Sequence, residues 1–109
     1  MTNGIRNITP KELSLRLKEG PAVTLIDVRE ADEKKIADIG GDLIPVGTVI
    51  EQAARIPRSG DVVIYCRSGG RSAVAIKELQ ARCGFTNLIN LKGGILGWAD
   101  EVDPSIRKY

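Results

Sequence analysis

Val62-Val63-Ile64-Tyr65-Cys66-Arg67-Ser68-Gly69-Gly70-Arg71-Ser72 changes character twice within a few residues. Its first four residues are apolar and mostly β-branched, the composition of a strand covered on both faces. A small, glycine-rich stretch follows, and residues 72–83 then carry a helical apolar pattern, with Val74 and Leu79 among the apolar positions and Gly84 as C-cap. The order strand, loop, helix delivers Cys66 to the tip of a buried strand and points a helix N-terminus at it. Backbone N–H groups and the positive end of the helix dipole converge there, which makes a pocket for an anion. A thiol in such a place, beside arginines, ionises at a pH of about 3.5–7.5 instead of about 8.5. Cys66 is therefore expected to be a thiolate and a sulfur nucleophile.

Outward from the loop, helices and strands alternate. Thr9-Pro10-Lys11-Glu12 is a capping box with proline at the first helical position, and Leu13 and Leu17 then share a face before Gly20-Pro21 ends the helix. Residues 23–27 read as a buried strand, 30–36 as a short charged helix and 43–45 as a short strand. Thr48-Val49-Ile50-Glu51 has the form of a second capping box, opening a brief helix to Arg55. Residues 88–91 read as a further strand, 96–102 as a last helix and 103–109 as an extended tail. This alternation places the chain in the α/β class, with a parallel sheet covered on both faces. Ligands of such sheets sit beyond the carboxyl ends of the strands, where Cys66 falls.

The chain's 109 residues suit one domain, residues 1–109, with one core. A net charge of +2, with basic and acidic residues interleaved, gives no stripe for nucleic acid. No apolar run approaches the ~18 residues of a membrane span. Met1-Thr2-Asn3-Gly4 has no signal pattern, so the expected location is cytoplasmic. With two cysteines and no histidine, neither a metal site nor a cofactor is expected.

Within the loop, Gly69 and Gly70 are expected to supply backbone conformations that other residues reach only with strain, letting successive N–H groups converge. Arg71 adds a fixed positive charge and a planar donor fork. The alternative is a buried core cysteine followed by a plain turn; the strand end, the glycines, the arginines and the following helix together favour the functional reading. Four residues lie between Cys66 and Arg71, one fewer than in the C-x-x-x-x-x-R loop of cysteine phosphatases. The smaller ring suits one sulfur atom bound to the cysteine better than a tetrahedral phosphate.

These residues resemble the active-site loop of the rhodanese (sulfurtransferase) family. Leu25-Ile26-Asp27-Val28-Arg29-Glu30, with Ile44-Pro45 after it, is similar to the family's L-I-D-V-R-E strand and following I-P, and Leu91-Lys92-Gly93-Gly94-Ile95-Leu96-Gly97-Trp98 to its L-x-G-G-x-x-x-W. The resemblance implies a three-layer domain with a central, mostly parallel five-stranded sheet flanked by helices. It implies that Cys66 takes a sulfane sulfur from a small anionic donor such as thiosulfate and passes it to a thiophilic acceptor, cyanide in vitro and a thiol or sulfur-carrier protein in the cell. Arg67, Ser68, Gly69, Gly70, Arg71 and Ser72 become the substrate-binding loop. The stretch from Trp98 to Ser105, with the terminal Tyr109, is similar to the rhodanese domain attached to adenylating enzymes of molybdopterin and thiolated-tRNA synthesis, so the chain is either an independent relative or such a domain alone. Many members have a histidine and G-A before the I-P, which residues 34–45 lack. The competing class is a non-catalytic interaction module on the same fold, against which the intact Cys66 argues.

Other residues carry plainer readings. Cys83, at a helix end, is read as packing and Trp98 as a core anchor. Asp27 and Arg29, at a buried strand end, are read as partners in internal hydrogen bonds. Arg67 either leans out to meet an anionic donor or an acidic partner, or is solvated and idle.

Overall fold

A computed structural model describes residues 4–109; the reading of the N-terminus as free of a signal pattern rests on residues outside them. Five parallel strands form one sheet: β1 (Arg6–Ile8), β2 (Thr24–Asp27), β3 (Asp42–Leu43), β4 (Val62–Tyr65) and β5 (Leu88–Leu91), in the order β1-β5-β4-β2-β3. Four helices flank it: α1 (Pro10–Glu19), α2 (Ala31–Ile36), α3 (Gly70–Cys83) and α4 (Gly94–Glu101). The α/β class and the parallel, five-stranded, helix-flanked sheet expected above are those of the structure.

The period-2 alternation of a strand decides where the cysteine goes. Val62, Ile64 and Cys66 fall on one face of the sheet, in a core shared with Ala75, Ile76 and Leu79 of α3. Val63 and Tyr65 fall on the other, against Leu13 of α1 and Ile95 and Trp98 of α4. All four residues of β4 are buried, as a central parallel strand requires. Cys66 thus leaves the strand on the face from which α3 begins.

Several boundaries differ from the sequence reading. β1 went unread because it is three residues long with two exposed, too brief to show a period. In α1 the expected capping box is present, Glu12 Oε1 accepting from Thr9 N–H at 2.8 Å and Thr9 Oγ1 from Glu12 N–H at 3.1 Å. Its buried stripe stops at Leu13, however, and Leu17 stands half exposed. The expected helix opening at Thr48 is instead a pair of 3₁₀ turns, Val46–Thr48 and Ala53–Arg55. The Thr48 hydroxyl donates back to Pro45 O at 2.8 Å rather than capping a helix. Val74, read as apolar and helical, is on the exposed side of α3. The tail is not extended. It turns at Asp103, packs Ile106 on the α1/α4 side of the core and brings the Tyr109 carbonyl to Arg29.

Asp27 and Arg29 do form an internal network. Arg29 is fully buried, its Nε and Nη2 bonded to Asp27 at 3.0 and 2.7 Å. Nη2 also reaches Ala37 O at 2.6 Å, and Nη1 reaches Glu33 O at 3.2 Å. A charge with no water needs this many partners. The result ties α2 to the C-terminal end of β2, beside the loop after β4. No described helix is long and apolar enough to cross a membrane.

Candidate active site

Cys66 is only 1% exposed, so the loop's rim faces solvent while its sulfur does not. Sγ accepts the N–H of Gly69 at 3.1 Å and that of Ser72 at 3.4 Å, and lies 3.4 Å from Ser72 Oγ. Burial works against ionisation of this thiol. The hydroxyl and N–H of Ser72 and the N–H groups of Gly69 and Ser68 outweigh it and hold the thiol below its ordinary value. The sequence reading credits inward N–H groups, the helix N-terminus and the arginines; in the structure the hydrogen bonds from Ser72, Gly69 and Ser68 lower the thiol against its burial.

The two glycines of the loop are not equivalent. Gly69 has φ 109°, the left-handed region, which turns its N–H inward and lets its carbonyl start α3 by accepting from Ala73 N–H at 3.2 Å. Gly70 has an ordinary φ and open space around it, so the strain expected there is absent. Helix α3 begins at Gly70, two residues before the start read from sequence, which carries Arg71 and Ser72 into its first turn.

Ser72 is the hub of the cradle. Its hydroxyl lies 2.6 Å from Asn90 Oδ1, 3.2 Å from Gly69 O and 3.4 Å from Cys66 Sγ, so three neighbours compete for its single proton. Asn90 on β5 is a buried residue that the sequence reading passed over. The signal was available: a polar side chain in the middle of the apolar strand Leu88-Ile89-Asn90-Leu91.

The arginines divide. Arg67 is exposed and lines a surface depression with Glu30, Asp32, Glu33 and Tyr109. Arg71 does not aim its fork at the sulfur. It makes a two-pronged ion pair with Glu33, Nη1 to Oε1 at 2.6 Å and Nη2 to Oε2 at 2.7 Å. The guanidinium holds the Glu33 carboxyl down to about 2. Glu33 also went unread, because its partner is remote in sequence.

The loop is held from behind by α4. Ile95 N–H donates to Cys66 O and Leu96 N–H to Arg67 O, both at 3.0 Å, so the unpaired donors of a helix N-terminus receive the loop's carbonyls. Gly93 and Gly94 both have positive φ, 78° and 59°, which lets the chain enter α4 this close to the loop. Cys83 packs at the margin of the core that holds Cys66, and Trp98 is buried on the opposite side. No cluster of metal-ligating side chains occurs among the described residues.

A nucleophilic sulfur ringed by inward N–H groups can attack an electrophilic atom and hold the negative charge of a second atom attached to it. The family model described as Rhodanese-like domain matches residues 9–101. The chain is 38% identical over 105 residues to the probable adenylyltransferase/sulfurtransferase MoeZ of Mycobacterium tuberculosis, covering 94% of this chain and 26% of that protein. It therefore spans about a quarter of that relative's length. Identity is also 38%, over 103 residues, to a sulfurtransferase of Allochromatium vinosum, with 94% of this chain and 95% of that one covered. Among solved structures, a rhodanese-related protein from Thermoplasma volcanium superimposes with a TM-score of 0.79 at 30% identity, over 95% of this chain and 99% of the other. A rhodanese-like domain protein from Staphylococcus aureus gives 0.80 at 27%, over 96% and 99%.

Proposed function

The chain belongs to the rhodanese-like domain family, and on that premise we propose that it is a sulfurtransferase working through a persulfide on Cys66. The observation that carries this reading is the position of Sγ at the focus of the Gly69 and Ser72 N–H groups, at the C-terminal end of a central parallel strand. With thiosulfate as donor, the Cys66 thiolate attacks the outer sulfur. A bond forms between Sγ and that sulfur, and the bond to the sulfonate breaks, sulfite leaving with the electron pair. The persulfide's terminal sulfur is then an anion of the size the four-residue ring accommodates, stabilised by the N–H groups of Ser68, Gly69 and Ser72. A thiophilic acceptor attacks it, takes the sulfur and returns Cys66 as thiolate. The acceptor is cyanide in vitro and a thiol or sulfur-carrier protein in the cell.

Within this scheme Ser68, Gly69 and Ser72 supply donors to the sulfur. Arg67 attracts the donor from the rim, Gly70 shapes the loop, and Arg71 braces it through Glu33. The sulfur is deep, so the donor's sulfane end has to enter the ring while the rest of it stays at the rim. The test is intact mass after thiosulfate. A gain of one sulfur atom, located on Cys66 and removed by a thiol reductant, is expected; an unchanged mass overturns the reading in favour of a non-catalytic module.

A further inference from the structure

Arg71 stands where an anion-binding arginine is expected, yet its charge is spent within the protein. Both terminal nitrogens are engaged by Glu33, and Glu33 Oε1 also accepts from Glu30 N–H at 3.0 Å, which fixes the carboxylate from its own side. The side chain of Glu33 is 12% exposed and that of Arg71 36%, so the carboxylate is sheltered while the guanidinium reaches solvent. Glu33 also borders the depression beside the loop, together with Glu30, Asp32, Arg67 and Tyr109. In that depression the carboxylates of Glu30, Asp32 and Glu33 stand against the single guanidinium of Arg67, while Arg71 is paired to Glu33. A donor approaching this rim meets no net positive charge. The N–H groups inside the ring favour one negative atom at the sulfur and do nothing for a second charge outside it.

We propose that Glu33 is a specificity-determining residue of the sulfur-transfer site, which by occupying Arg71 disfavours dianionic donors and favours sulfane-sulfur donors that carry a single negative charge. The inference rests on the sulfurtransferase reading above. The two donor classes react alike. In both, the thiolate of Cys66 attacks the terminal sulfur, a new S–S bond forms to Sγ, and the donor's S–S bond breaks. The leaving group, sulfite from thiosulfate or a sulfinate from an alkanethiosulfonate, departs with the electron pair. Only the charge left at the rim differs.

The test compares kcat/KM for thiosulfate with kcat/KM for methanethiosulfonate at low salt, in the unaltered chain and in Glu33→Gln. Glutamine keeps an acceptor for Glu30 N–H and removes the charge. About a tenfold gain is expected with the dianion and about threefold with the monoanion, the effect of one unit charge on two charges and on one, both shrinking as salt rises. Glu33→Asp, which restores the charge, should bring the donor ratio back toward that of the unaltered chain. Arg71→Gln leaves Glu33 unopposed and should move the ratio the opposite way, giving a second reading if Glu33→Gln fails to fold. A positioning role alone would lower kcat for both donors together and leave their ratio unmoved, and that result overturns the proposal. Sulfur uptake from neither donor by the unaltered chain overturns the sulfurtransferase reading and this inference with it. Uptake with an unshifted ratio in the variants overturns only the inference.

Discussion

A Cβ placed on Gly94 would stand 2.5 Å from the carbonyl oxygen of Cys66 and equally close to that of Arg67. The loop and the start of α4 are in backbone contact, closed by hydrogen bonds from Ile95 and Leu96. Gly94→Ala adds both this collision and a left-handed φ of 59° to a residue with a side chain. We expect a loss of more than about 2 kcal/mol in stability, read from denaturant midpoints. Sulfur transfer should fall even where the variant is still folded, because the loop must shift. A stability within about 0.5 kcal/mol of the unaltered chain would show that the approach is looser than the geometry.

Cys66→Ser should abolish sulfur transfer and keep the fold. The hydroxyl can still accept from Gly69 and Ser72 N–H, so the expected cost is about 1 kcal/mol. Thiocyanate production from thiosulfate and cyanide by this variant would remove Cys66 from its role.

The hydrogen bonds to Sγ lower its pKa against the opposing effect of burial. The alkylation rate at Cys66, followed by peptide mass spectrometry against pH, should rise with a midpoint below that of a free thiol such as glutathione. Ser72→Ala removes a hydroxyl that lowers the thiol's value and should move the midpoint upward. An unmoved midpoint in Ser72→Ala would transfer the effect to the backbone donors alone.

Arg67 and Arg71 should fail differently. Arg67→Ala should raise KM for thiosulfate about three- to tenfold with kcat nearly unchanged, the pattern of lost uniform binding, and the effect should shrink with salt. Arg71→Ala should lower kcat, because it disconnects the first turn of α3 from α2. Steady-state kinetics of the two variants at low and high salt separates these outcomes; identical losses without salt dependence contradict the division.

Acid should dissolve the Glu33–Arg71 pair in a definite window. The carboxyl, held at about 2 against an ordinary 4.5, binds its proton less readily in the folded chain. Its contribution to stability is therefore complete above about 4.5 and lost as pH falls toward 2. The stability difference between the unaltered chain and Glu33→Gln, measured by urea at a series of pH values, should be constant near neutrality and narrow below pH 4.5. A difference that persists undiminished at pH 2 to 3 contradicts the assignment of the ion pair as its source.

What the sequence made legible follows the range of the interactions. The strand Val62–Tyr65, the loop after it and the capping box at Thr9 are local patterns, and each appears where composition puts it. The face on which Cys66 leaves the sheet also follows from counting in twos along β4. Glu33 and Asn90 were not legible as site residues, because their partners Arg71 and Ser72 lie 38 and 18 residues away and only the folded sheet brings them together. The segment after Pro45 misled for the opposite reason. Thr48 and Glu51 have capping-box spacing, but the Pro45 carbonyl captures the threonine hydroxyl first.

Apart from the Ser72 hydroxyl, the donors of the cradle's inner wall are main-chain N–H groups, while Arg67 and Ser68 are exposed. Peptide N–H groups are the same whatever residue carries them. Substitution at Arg67 or Ser68 can therefore redraw the outer face that a donor or acceptor meets without altering the atoms that touch sulfur. Under the proposed function, chemistry and recognition occupy opposite sides of the same short ribbon, so one can change without disturbing the other.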